Sequence, residues 1–250
     1  MQESNNRVIL ITGGAAGIGR AAALRFARDG ARVVVTGRRE APLQALAAEQ
    51  PGIGYVVADA GKAADAARTI ATVIERHGRL DVLVNNAGAG AILPLQEADA
   101  DRIRDIFEVN VVGPSLLARA ALPHLEASGG AIVNLSSTFG HKAGALLSHY
   151  GASKAAIEHL TRCWALELAP RGIRVNAVAA GPTETDFLAE RMGLTPAQIQ
   201  AVKAEETARI PLGRRGAPAD VAEAIVALAG PMGGWITGQV LAVDGGLNIA

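Results

Sequence analysis

The sequence predicts an α/β fold: a doubly wound parallel sheet of about seven strands with helices on both faces. Three observations carry this. Short β-branched runs alternate along the chain with longer alanine-rich amphipathic stretches. The β-branched runs are apolar throughout instead of alternating, which marks strands covered on both faces. A glycine-rich turn, Thr12-Gly13-Gly14-Ala15-Ala16-Gly17-Ile18-Gly19, joins the first such run to the first helical stretch. A length of 250 residues with this rhythm would also suit a (β/α)8 barrel. The glycine placement argues for the open sheet.

Taken in order, the run Val8–Thr12 opens the sheet, and the glycine turn leads into a helix over 17–29. The Val-Val-Val stretch within 31–36 predicts the second strand, followed by a helix over 40–50. A third strand over 53–58 precedes a helix over 63–77, whose apolar residues recur at helical spacing. The fourth strand, 80–85, leads to one long helical pattern over 99–127. A fifth strand over 131–136 precedes a helix over 148–169. The sixth strand lies at 173–177, a further helix at 218–229, and the last strand at 239–243. No Pro/Ser/Gly-rich linker splits the chain, so 1–250 reads as one domain. The rhythm breaks at 183–216, a segment longer than a plain crossover needs. It follows the carboxyl end of a strand, where such insertions cover ligands, so it is read as a lid.

Composition excludes several classes. The 24 basic and 24 acidic residues leave no net charge to drive nucleic-acid binding. The single cysteine, Cys163, excludes an intramolecular disulfide or a cysteine-rich zinc site. The histidines, His77, His124, His141, His149 and His159, lack metal-ligand spacing, so no metal is expected. No apolar run of about 18 residues is present to span a membrane. Met1 to Arg7 is polar and lacks a signal-peptide layout. The expectation is a soluble, compact cytoplasmic protein.

Glycines in the first turn let the backbone approach a phosphate without Cβ contact. The helix that follows offers unpaired N–H groups and the positive end of its dipole. Further on, Tyr150 and Lys154 stand four residues apart and so share one helix face. With two tyrosines in the chain and few lysines, chance gives this spacing in only about 3 per cent of cases. A free phenol, with a pKa near about 10, exchanges protons poorly at neutral pH. A nearby ammonium favours the phenolate. Tyr150 can then act as general acid or base at a carbonyl oxygen.

These features, with the spacing Thr-Gly-x-x-x-Gly-x-Gly, resemble the short-chain dehydrogenase/reductase family. Asn85-Asn86-Ala87-Gly88, Asn110, Ser137 and Tyr150-Gly151-Ala152-Ser153-Lys154 follow in family order, and the resemblance runs from Arg7 to Gly246. It implies a Rossmann-type sheet and a nicotinamide cofactor held by Gly13, Ala15, Ala16, Gly17, Ile18, Gly19, Asn86 and Gly88. It also implies that Asp59 and Ala60 meet the adenine, and that Lys154 hydrogen-bonds the nicotinamide ribose. Ser136 and Ser137 cannot be told apart from sequence alone. The family spacing selects Ser137 as the hydroxyl that holds the substrate oxygen. Asn110, inside a helical pattern, takes the family role of bending the helix and holding a water next to the lysine. In 176–185, Gly181 belongs to the cofactor-binding set, and the Thr183 backbone and the Thr185 hydroxyl would meet the nicotinamide carboxamide. Ala180 stands where the family usually has proline.

Cofactor choice rests on the second strand. An acidic residue at its end would bind the ribose hydroxyls of NAD. Here Gly37 takes that place, followed by Arg38 and Arg39. A guanidinium grips a 2′-phosphate with paired charged hydrogen bonds. NADP(H) is therefore expected over NAD(H), with Arg38 as the main contact and Arg39 auxiliary. Ala16 lacks the basic residue that some relatives carry there. Substrate contacts are expected from Ser137, Phe139, His141, Tyr150 and Phe187.

The reading is an NADP(H)-dependent reductase of ketones or dehydrogenase of secondary alcohols, with a carrier-bound 3-oxoacyl thioester as the alternative substrate. A nucleotide-binding scaffold is the competitor from another class; the complete set Asn110, Ser137, Tyr150 and Lys154 argues against it. Lys154 and the glycine turn argue against a cofactor-free dehalogenase of similar fold. The helices over 99–127 and 148–169 are more apolar than one sheet face requires. In the family they pair across an interface, which implies a homotetramer, or a homodimer as the alternative.

Overall fold

The computed structural model describes residues 6–250; the segment 1–5, part of the stretch read as lacking a leader, lies outside the described residues. Seven strands form one parallel sheet: β1 (Val8–Thr12), β2 (Arg32–Gly37), β3 (Ile53–Val57), β4 (Val82–Asn85), β5 (Ala131–Ser137), β6 (Arg174–Ala180) and β7 (Val240–Val243). Their order is β3-β2-β1-β4-β5-β6-β7. Chain order therefore reverses between β1 and β4, and a crevice opens beyond their carboxyl ends.

Why the runs are apolar throughout is visible in the two cores. One face packs Ile9, Ile11, Val33 and Val35 against Ala22, Ala23 and Phe26 of α1 (Gly17–Arg28), Leu43 and Leu46 of α2 (Glu40–Glu49), and Val221 and Ile225 of α9 (Pro218–Ala229). The other packs Val8, Leu10, Leu83 and Ile132 against Ile70 and Val73 of α3 (Ala63–His77), Leu117 and Ala121 of α5 (Gly113–Ser128), and Leu168 of α6 (Ser148–Leu168). At the edge strand β7 this rule lapses: Leu241 is exposed.

The long helical pattern over 99–127 is not one helix. It is α4 (Ala100–Phe107), a π-helical turn over Glu108–Val112, and α5. Pro114 explains the break. It lacks the N–H that would bond the carbonyl of residue 110, so the regular ladder is interrupted there. Gly113 sits at this joint because any Cβ would overlap the carbonyl oxygen of Ala60. The segment 183–216 contains a short helix α7 (Phe187–Glu190) and α8 (Pro196–Arg209). Thr195 opens α8 with a capping box, accepting from the amide of Gln198 while Gln198 reaches back to the Thr195 amide. An isolated bridge between Thr183 and Gly216 closes the base of this excursion.

Candidate active site

A cleft of about 710 Å³ lies over the carboxyl ends of the strands. That volume is within the range of cofactor sites. Gly13, Ala16, Gly17 and Ile18 line it from the first turn, and Arg38 from the end of β2. Asp59 and Ala60 reach it from beyond β3, and Asn86 and Gly88 from beyond β4. Ser137, Phe139, Tyr150 and Lys154 form a further wall, and Gly181, Thr183, Thr185 and Phe187 line the side beyond β6. Residues scattered from 13 to 187 are thus brought to one surface.

The glycine turn is held from below. Asn86 Nδ2 donates to the carbonyls of Thr12 at 2.8 Å and Gly13 at 3.1 Å, and the amides of Asn86 and Ala87 donate to Thr12 Oγ1. Gly13 and Gly17 have left-handed φ angles of 64° and 52°. A Cβ on Gly19 would lie 2.5 Å from both Asn86 Nδ2 and the Gly13 carbonyl oxygen. Ala16, at the N-cap of α1, has no side chain to bond the leading amides of the helix. Open amides, bare glycine backbone and the positive dipole end together suit a dinucleotide pyrophosphate. Asn86, Gly88, Gly181 and the Thr183–Thr185 segment line the remainder of such a cradle.

Tyr150 and Lys154 occupy the first two turns of α6, and both are buried. Lys154 Nζ donates to the Leu135 carbonyl at 2.8 Å and stands 5.9 Å from the centre of the Tyr150 ring. Burial pulls the Lys154 pKa down to about 8, with Glu158 acting the other way. Burial also pushes the Tyr150 phenol up, and the Ser137 hydroxyl acts against that rise. Desolvation therefore outweighs the lowering that the spacing to Lys154 led us to expect. The Phe187 ring closes over Tyr150, with centroids 6.0 Å apart and planes tilted by 48°.

The adjacent serines both line the cleft but differ in their hydrogen bonds. Ser136 Oγ donates to Glu158 Oε1 at 2.6 Å, whereas Ser137 Oγ accepts from the Phe139 amide at 3.3 Å. Asn110 sits in the π turn, behind the cleft wall. Its Oδ1 accepts from the Ala89 amide at 2.8 Å, and its Nδ2 donates to the Ala89 carbonyl at 2.8 Å and to Ser153 Oγ at 2.9 Å. The polar atoms of this side chain are thus spent on backbone and Ser153. Gly88 stands beside it: a Cβ there would lie 3.6 Å from both Asn110 Oδ1 and Lys154 Nζ.

Several expected residues sit elsewhere or are engaged in other contacts. His141 is not among the residues lining the cleft; its Nδ1 is 3.2 Å from Glu158 Oε1, because the buried carboxylate draws it away. Arg39 pairs with Glu190 of α7 at 2.9 Å. Ala15 packs into the core and Gly19 is buried beneath the turn. Asp59 Oδ1 accepts from the Gly61 amide at 3.1 Å, capping the turn after β3 while still lining the cleft. The sequence reading missed Arg215. Nearly buried, it donates to the Thr183 carbonyl at 2.7 Å and pairs with Glu184 at 2.7 Å and with Glu206. This clamp fixes the backbone at Thr183, and nothing local in the sequence announces it.

A parallel sheet with a glycine turn at its reversal point defines a dinucleotide-type fold. Residues 13–248 match the family described as enoyl-(acyl carrier protein) reductase. The chain belongs to the short-chain dehydrogenase/reductase family, nicotinamide-dependent oxidoreductases that act on CH–OH and C=O groups. It is 39% identical to the 3-oxoacyl-[acyl-carrier-protein] reductase FabG of Thermotoga maritima, over 97% of this chain and 98% of that protein. It is 36% identical to the L-fucose dehydrogenase of Bos taurus, over 97% and 90% respectively. The crystal structure of a 3-ketoacyl-(acyl-carrier-protein) reductase from Brucella melitensis complexed with NADH superposes with a TM-score of 0.90. It has 33% identity and covers 98% of this chain and 100% of that one. No helix among the described residues is long and apolar enough to cross a membrane, and no cluster of metal-ligating side chains is present among them.

Proposed function

We propose that this protein is an NADP(H)-dependent oxidoreductase that interconverts a ketone and a secondary alcohol. The observation that carries the reading is the convergence of Ser137, Tyr150 and Lys154 on one wall of the cleft that also receives the glycine turn and Arg38. A reduced nicotinamide, when bound, supplies the hydride to the carbonyl carbon. The Tyr150 hydroxyl gives its proton to the carbonyl oxygen in reduction and takes it back in oxidation. The Ser137 hydroxyl donates to the same oxygen and holds it facing Tyr150. Lys154, fixed by the Leu135 carbonyl, lends positive charge that favours the phenolate as the proton leaves. Asn110 ties the Ala89 backbone to α6 through Ser153, which keeps the loop after β4 in register with the catalytic helix.

Gly37 in place of an acid at the end of β2, together with Arg38 in the cleft, supports NADP(H) over NAD(H). Phe139, Phe187, Leu188 and Met192 make the substrate end apolar. A carrier-bound 3-oxoacyl thioester is the alternative substrate, favoured by the activity named for the Thermotoga relative. Exposed Leu166 on α6, and Trp235 and Leu241 around β7, support a homotetramer, or a homodimer, of a cytoplasmic enzyme with 183–216 as its lid. The test is NADPH oxidation with simple ketones and with acetoacetyl thioesters, beside Tyr150→Phe. Turnover that the variant loses supports the reading. Cofactor binding with no turnover of either substrate class would favour a scaffold.

A further inference from the structure

One group of charges in the cleft takes no part in the hydride and proton transfer above. Arg38, next after β2, and Arg191, next after α7 of the lid, line the same cleft with Asp59 and Glu190. Arg39 is neutralised by Glu190 at 2.9 Å. Among the described residues neither Arg38 nor Arg191 has such a partner. Burial, then the charge of Arg38, lowers the Arg191 pKa, with Glu190 and Asp59 acting against the fall. An arginine stays charged through shifts of this kind. Two like charges from distant parts of the chain, lining one cleft without a full complement of anions, repel each other. A phosphate monoester between them would turn that repulsion into two sets of charged hydrogen bonds.

Resting on the reading that Arg38 faces the adenosine ribose, we propose that Arg191 is a second cofactor-specificity residue. Arg191 closes on the 2′-phosphate from the lid while Arg38 holds it from β2. Arg39, the auxiliary contact expected from sequence, instead acts as a tether that anchors the lid through Glu190. The lid then settles more firmly over a 2′-phosphorylated adenosine than over a plain one. Cofactor identity is thereby coupled to closure of the segment that also carries Phe187 onto Tyr150.

The test uses the whole protein and two probes that lack the nicotinamide, adenosine 2′,5′-bisphosphate and adenosine 5′-monophosphate, titrated calorimetrically. Wild type should bind the bisphosphate at least about tenfold more tightly. Arg191→Gln should lose about tenfold toward the bisphosphate and change less than about twofold toward the monophosphate. Arg39→Gln should lower both affinities alike. Amide exchange over 187–192 should slow with the bisphosphate in wild type and not in Arg191→Gln. Equal losses toward both probes in Arg191→Gln would overturn the proposal, as would full retention of bisphosphate binding. Competition by inorganic phosphate as strong as that by the bisphosphate would reduce the pair to a general anion site and also overturn it. If Arg38→Gln abolishes the bisphosphate preference and Arg191→Gln keeps it, only the Arg191 proposal falls. If wild type shows no preference, the NADP(H) reading falls with it.

Discussion

The Ser136 hydroxyl lies 2.6 Å from Glu158 Oε1, donating to a carboxylate that is itself buried. This bond distinguishes two adjacent serines that both line the cleft. The Ser136 hydroxyl is committed to α6, whereas that of Ser137, one residue on, is spent on no carboxylate and stands beside Tyr150.

The two serines should therefore respond differently to replacement. Ser137→Ala should lower kcat by about a hundredfold, the usual loss when one donor to a reacting oxygen is removed. Ser136→Ala should leave kcat within a few-fold of wild type. It should cost about 1–3 kcal/mol of stability, because the buried carboxylate loses a donor. Steady-state kinetics and denaturant melts on the pair check this.

Lys154 makes stability depend on alkaline pH. Its folded pKa, about 8, lies below the ordinary lysine value, so between those two values the unfolded chain binds more protons. Stability must then rise with pH from about 8 toward the ordinary lysine pKa. The Tyr150 phenol shifts upward, so it acts only above the ordinary tyrosine pKa, where it opposes further gain. Lys154→Met should flatten the profile between pH 8 and about 10, measured by melts of cofactor-free protein. An unchanged slope would mean that Lys154 is not desolvated.

Asn110 is expected to act through position, not contact. Asn110→Leu strands the Ala89 amide and carbonyl. It should cost about 1–3 kcal/mol and lower kcat, with amide exchange at Ala89 accelerated. Rapid exchange there without loss of activity would remove Asn110 from the account.

Glycine replacements should sort by what a Cβ would meet. Gly113→Ala drives a methyl group into the Ala60 carbonyl and should cost more than about 2 kcal/mol. Gly54, with nothing near its open side, should accept alanine with a change below about 1 kcal/mol. Gly19→Ala should fold less stably and lose nucleotide binding, because the turn must shift off Asn86. Thermal melts and nucleotide titration separate the three.

Much of this architecture could be read from residue order. The inner strands were visible because burial on both faces demands unbroken apolar runs, and the turn at 12–19 was visible because only glycine tolerates its backbone. Tyr150 and Lys154 were visible because helical spacing fixes their relation. What escaped depended on contacts distant in sequence. The π turn needed the meaning of Pro114 and of the Ala60 carbonyl against Gly113. The Arg215 clamp joins 183, 184, 206 and 215, which no periodicity links. His141 was misplaced because the pull of Glu158 arrives from another helix. The start of α8 did carry a local signal, the Thr195-Pro196-Ala197-Gln198 capping box, and it went unread within 183–216.

The central claim is that the cleft binds a 2′-phosphorylated nicotinamide cofactor through Arg38. The most direct test is a fluorescence titration of the purified protein with NADPH and NADH, beside Arg38→Asp. Our account predicts tighter binding of NADPH by about tenfold or more, with that preference lost or reversed in the variant. Tighter binding of NADH by wild type would contradict the Arg38 argument and leave the reductase chemistry standing. Binding of neither would contradict the account as a whole.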